Sequence, residues 1–273
     1  MKKILFVYDH KNPKHWMDGL WAALNLLEKD FEISKFNLSG PEAKDQLNID
    51  EDSDFTLGWG AFGSKVDEFI QNVYEAYPNH KIGLCIAGNV NPPEGANKYN
   101  ILFYETKWYR SQIDFHDNIW QAFGVNTDLF NTIDISTPVV WDYIGVGALA
   151  NWKRWDRMTK KQGNRLVVGE YQKENEEESL AIAQNLLREG VMVSDSVHPF
   201  DLVNFYHWSR TLHIPADVTG GGERAILEAR SCGLEVEIED DNDKLRELLD
   251  CDIPSHHDYY KQLKKSIERC ISA

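Results

Sequence analysis

Short apolar runs and longer amphipathic stretches alternate along this chain. Residues 4–8 (ILFVY) form a continuous apolar run, the pattern of a strand covered on both faces. Residues 16–27 place Trp16, Leu20, Ala23, Leu24 and Leu27 on one helical face. A second strand is predicted at 31–36, a third at 55–58, a helix at 64–77, and further strands at 82–87 and 101–104. The second half repeats the plan, with strands predicted at 143–146, 166–168, 191–193, 212–214 and 234–238, and helices at 177–188, 200–209 and 223–232. Strand and helix in repeated succession signal βαβ units and parallel sheets. The polar, turn-forming stretch 131–138 (NTIDISTP) separates the halves. The expected fold class is therefore α/β, two Rossmann-like domains spanning residues 1–135 and 136–273.

Composition narrows the partners more than the fold. A chain of 273 residues has room for one large domain or two modest ones. Its 29 basic and 44 acidic residues give a formal charge of −15, which argues against a broad electrostatic grip on nucleic acid or anionic membrane and leaves room only for a local basic groove. The four cysteines, Cys85, Cys232, Cys251 and Cys270, form no CxxC pair and read as reduced, buried thiols. The opening apolar run is too short for a signal sequence or a membrane span, and no other stretch is long enough, so a cytoplasmic protein without a transmembrane segment is expected.

Several chemistries are excluded by their loops. The segment after the first strand, DHKNPKHW, holds no GxGxxG, and the chain has no GxxxxGK[ST], HExxH or GxSxG. DxD-type pairs occur at Asp50/Asp52, Asp52/Asp54, Asp241/Asp243 and Asp250/Asp252; in so acidic a chain they arise by chance, and no metal site is assigned. The acidic run 174–178 reads as the solvated first turn of a helix.

One segment carries chemistry on its own terms. In 219–233 (TGGGERAILEARSCG), a strand ending at Pro215 is followed by Gly220, Gly221 and Gly222, then by a helix that Gly233 ends. Such a turn presents unpaired N–H groups and the positive end of the helix dipole to an anion, though a tight β-to-α turn with no ligand would look the same. Glu223 is explained by the helix dipole alone, and Glu228 by an i, i+4 pair with Arg224; a carboxylate at 228 is also placed to accept from ribose hydroxyls.

In four ordered segments the chain resembles the GT-B glycosyltransferases, in particular the retaining family 4 type, the group 1 glycosyltransferases. These are FGVNTDLF at 123–130, YIGVGALANWKRWD at 143–156, the region 197–215, and the glycine-rich 220–233, which is similar to the family's E-x7-E segment. The resemblance implies two Rossmann-like domains with parallel sheets facing across a cleft, the second binding a nucleotide sugar (UDP-, GDP- or ADP-linked) as co-substrate, with no cofactor and no metal required. It implies Lys153 on the donor diphosphate, Glu228 on the ribose, backbone and charge from Gly220, Gly221, Gly222, Glu223, Arg154 and Arg224, and Val197 and His198 at the base. Gly220 falls where the family has its first glutamate, Ala148 where it has an arginine, and Gly58, Trp59 and Gly60 where it has a histidine. The first domain is expected to take a glycan or other hydroxyl acceptor, with His10, His15 and Trp59 as acceptor-side candidates. Two alternatives stay open: a phage-type glucosyltransferase acting on modified DNA bases, and a non-catalytic sugar-nucleotide-binding protein.

Overall fold

The computed structural model describes residues 1–10, 19–40, 53–88, 96–133 and 138–272. These fall into two compact units, 1–124 with 255–273, and 125–254. The first unit comprises β1 (Lys2–Tyr8), α1 (Gly19–Leu27), β2 (Phe31–Asn37), β3 (Phe55–Gly60), α2 (Lys65–Ala76), β4 (Lys81–Ile86), β5 (Ile101–Tyr104), α3 (Lys107–Gln112) and β6 (Ile119–Gln121). Its six strands pair in the order β2-β1-β3-β4-β5-β6, every pair parallel. Alternation along β1 divides the interior. Ile4, Phe6 and Tyr8 face a core with Leu20, Leu24 and Leu27, whereas Leu5 and Val7 face one with Val66, Ile70, Val73 and Tyr109. Burial on both faces is why β1 reads as an unbroken apolar run.

The second unit holds β7 (Trp141–Ala148), β8 (Arg165–Glu170), α4 (Glu176–Arg188), β9 (Met192–Asp195), α5 (Pro199–His207), β10 (Ser209–Ile214), α6 (Glu223–Ser231), β11 (Glu235–Ile238) and α7 (Asp243–Asp250). Its strands are also all parallel, in the order β11-β10-β7-β8-β9. One face of this sheet is covered by Leu149, Trp155, Met158, Ala183 and Leu186; α6 packs beside α7 and β11.

The chain returns to the first unit for α8 (His256–Ser272), whose Tyr259, Leu263, Ile267 and Cys270 enter the Ile4–Phe6 core. The observed division thus differs from the expected cut at 135/136. The apolar stripe of α8 completes the first core, and the segment that begins the second unit starts at Val125, whose amide donates to Pro254 O at 2.9 Å. Among the described residues no helix is long and apolar enough to cross a membrane.

Candidate functional site

In an open parallel sheet, ligands sit outside the carboxyl ends of the strands where the winding reverses. In the second sheet that point lies between β7 and β10: β8 and β9 follow on one side, β11 on the other. The loops leaving these two strands, 149–154 and 215–222, are the ones that the glycine turn and Lys153 occupy.

Both loops are held from outside. After β7, Ser179 Oγ donates to Leu149 O at 2.7 Å, Trp155 Nε1 donates to Ala148 O at 2.7 Å, and the Glu178 carboxylate accepts from Asn151 N and Nδ2 at 2.9 and 2.8 Å. Glu178 belongs to the acidic run read as merely solvated; it clamps the 3₁₀ turn Asn151–Lys153. After β10, buried Asn242 donates through Nδ2 to Ala216 O and Asp217 O at 2.8 and 2.9 Å, and Asp217 accepts from Thr219 N and Oγ1. The two loops meet at Gly220. A Cβ there would lie 2.5 Å from Ala216 Cβ and 2.8 Å from Trp152 O.

Gly221 and Gly222 have φ of 63° and 136°, the region that favours glycine. The first backbone bond of α6 runs from Ile226 N to Gly222 O, so the Gly221 and Gly222 amides are donors outside the helix ladder. Lys153 lies against this turn. A Cβ on Gly221 would be 3.7 Å from Lys153 Nζ, and one on Gly147 would be 3.2 Å from it. Among the described residues the Lys153 ammonium makes no ion pair. Burial pushes it down to about 8; Glu223 works against that shift, while Lys244 and Arg224 add to it.

Glu223 is buried in the first turn of α6, and its Oε1 meets the buried Lys244 ammonium at 2.9 Å. Burial alone would raise its carboxyl, but Lys244, a backbone hydrogen bond and Lys153 together hold it below the usual range. The helix dipole, the reason given for Glu223 from sequence, is thus accompanied by a buried ion pair.

The other expected residues divide sharply. Glu228 is buried on α6 and accepts from Tyr206 Oη at 3.0 Å; burial, and then the Glu228 charge and this bond, raise the Tyr206 hydroxyl well above its ordinary value. Arg224 is exposed beside the turn. Arg154, expected as a second phosphate cation, is committed elsewhere: its guanidinium bridges to both Asp241 oxygens at 2.7 and 2.8 Å, and Nε donates to Pro215 O at 2.7 Å. It adopts φ 51°, ψ 43° to do so and ties the two loops together. His198 caps α5, its Nδ1 accepting from Phe200 N at 3.3 Å with the two rings stacked; Val197 precedes it, half-buried.

In the first unit, His10 lies two residues past β1, its backbone exchanging hydrogen bonds with the Asn37 side chain. Trp59 packs against the Ile4–Phe6 core, as the commoner role of tryptophan would have it. His15 lies outside the described residues, as do Asp50 and Asp52. Asp54, Asp241 and Asp243 pair with Lys2, Arg154 and Arg246. A G-x-G-x-x-G that attention to the first strand misses runs from the end of β3 into the loop after it, at Gly58, Gly60 and Gly63. A Cβ on Gly58 or Gly60 would strike Val66, and Gly63 has φ 74°. The start of α2 is closed by its own residues, Ser64 Oγ accepting from Asp67 N and Asp67 Oδ2 from Gly63 N at 2.7 Å.

No protein-family model and no curated protein matches this chain. Solved structures do. A glycosyltransferase from Rickettsia africae ESF-5 aligns with a TM-score of 0.69 at 13% identity, covering 99% of this chain and 88% of that one. Anabaena HepE in complex with UDP and glucose aligns with 0.67 at 12%, covering 99% and 90%. A Neisseria meningitidis UDP-GlcNAc 2-epimerase bound to UDP-GlcNAc aligns with 0.57 at 13%, covering 98% and 93%. At these identities the likeness establishes the GT-B fold.

Proposed function

We propose that the protein is a glycosyltransferase that moves a sugar from a UDP-, GDP- or ADP-linked donor to an acceptor hydroxyl, with retention and without a required metal ion. The observation that carries this reading is the convergence of the Lys153 ammonium, the Gly221–Gly222 amides and the start of α6 at the switch point of the second sheet. A diphosphate needs those three elements: a point charge, close backbone donors and a helix dipole. In the reaction, the anomeric C–O bond to the diphosphate breaks, the acceptor oxygen bonds that carbon, and the acceptor proton ends on the released diphosphate. Lys153 and the turn amides stabilise the charge that grows on the leaving oxygens, the role a metal ion takes elsewhere. Glu228, one turn and a half along α6, is the ribose ligand. The first unit supplies the acceptor side, with His10, His15 and Trp59 as candidates, and the four free cysteines suit a cytoplasmic setting.

Gly220 favours a second reading. No acidic side chain fits at the position of the family's first glutamate without moving backbone. That suits sugar-nucleotide binding with a different outcome, such as epimerisation of the donor or no turnover.

A panel of UDP, GDP and ADP sugars, with acceptor sugars added, tests both. Lys153→Ala and Glu228→Gln are each expected to weaken donor binding about 10- to 100-fold, the effect of one charge-assisted contact. Full transfer activity in both variants would remove the assignment. Binding without transfer would favour the second reading.

A further inference from the structure

The Glu223–Lys244 pair is not needed to hold a phosphate, yet it lies directly under the turn that does. Lys244 is 3% exposed and Glu223 is 6% exposed, and their ion pair joins α7 to α6. Two buried charges are retained only when each compensates the other. Glu223 Oε2 lies 3.5 Å from the place a Cβ would take on Gly221, and Lys153 Nζ lies 3.7 Å from the same place. Carboxylate and ammonium therefore flank one glycine without closing on each other.

We propose that this pair is a positioning device: Lys244 pins the Glu223 carboxylate beside Gly221, and Glu223 keeps the Lys153 ammonium charged and available to the turn. Neither residue touches the ligand; both set how tightly it is held. The proposal rests on the reading of this turn as a diphosphate site. Its logic is electrostatic. A carboxylate held a short distance away favours the charged form of Lys153, whereas one free to swing would pair with the ammonium and compete with the ligand. The charged groups facing Lys153 are Glu223 and Arg224 from α6 and Lys244 from α7; β7 presents Gly147. With Lys153 lowered to about 8 by burial, the contribution of Glu223 decides whether the site is charged near neutrality.

Titration of the full chain with UDP-glucose from about pH 6 to about pH 9 reads this directly, because neither phosphate diester titrates in that range. Anion binding raises the pKa of Lys153, so affinity is constant below the free pKa and falls as pH rises through it. Wild-type affinity is expected to begin falling near pH 8, by about tenfold per pH unit. Glu223→Gln keeps size and removes charge, leaving Lys153 with the repulsion of Lys244 and Arg224; the onset moves down by about one unit or more. A purely structural pair would change stability and leave the onset in place, and a folded Glu223→Gln variant with the wild-type onset overturns the proposal. Should that variant not fold, E223Q/K244M carries the test. Its onset is expected below wild type, since the attraction of Glu223 outweighs the repulsion of Lys244, and an onset at or above wild type overturns the proposal. Lys153→Met separates the two levels: it is expected to weaken binding and abolish the inflection, and wild-type behaviour in that variant would instead remove the diphosphate site itself.

Discussion

Lys153 and Arg154 are adjacent cations with opposite assignments, and backbone geometry explains the difference. The 3₁₀ turn ending at Lys153 leaves its ammonium against Gly147 and Gly221, whereas the left-handed conformation of Arg154 sends its guanidinium to Asp241 and Pro215. Gly220 shows the same dependence on single atoms. A methyl group there would press on Ala216 Cβ and the Trp152 carbonyl, so Gly220→Ala is expected to cost about 1–3 kcal/mol by overpacking, read as a shift in the denaturant midpoint. An unchanged midpoint would mean that the two loops are not joined there. The glycine turn shows in the sequence because its residue types and spacing are local, whereas Lys153 and Glu228 enter through the family resemblance. Lys244 was not legible. It reaches Glu223 from a helix 21 positions on, and a lysine in KLRELL looks solvated until the packing of α7 on α6 buries it. The partner of Glu228, Tyr206, was hidden in the same way.

At the scale of elements, the strands buried on both faces were the clearest, and β1, β3, β4 and β5 appear where their apolar runs stand. The glycine-bounded helix was legible to the residue at its start: α6 begins at Glu223, and Gly233, with φ 86°, follows its end. β6 was not, since three half-exposed residues at a sheet edge carry no periodicity. The segment after residue 249 held a readable signal, Tyr259, Leu263, Ile267 and Cys270 on one face, but nothing local tells a terminal helix which domain to join. Its destination has a consequence for stability. Ile267 is fully buried in the first unit's core, and Ile267→Ala is expected to cost about 2–5 kcal/mol and to loosen the β1 amides in hydrogen exchange. Protection lost only in β7–β11 would contradict the placement of α8.

At the scale of the molecule, a formal charge of −15 means that the proposed anion site draws on geometry at the turn, where Lys153 sits half-buried, rather than on the surface field. Each unit has a glycine-rich β-to-α turn at a switch point, and the two differ in what closes them. The start of α2 is filled by Asp67 and Ser64, whereas the start of α6 faces the Lys153 ammonium, which makes no ion pair among the described residues. On that difference rests our proposal that the nucleotide binds the second unit. A crystal structure with UDP bound tests the assignment most directly. The diphosphate is expected within about 3 Å of the Gly221 and Gly222 amides and of Lys153 Nζ. A nucleotide found at the Gly58–Gly63 turn, or bound with Lys153 out of reach, would contradict it.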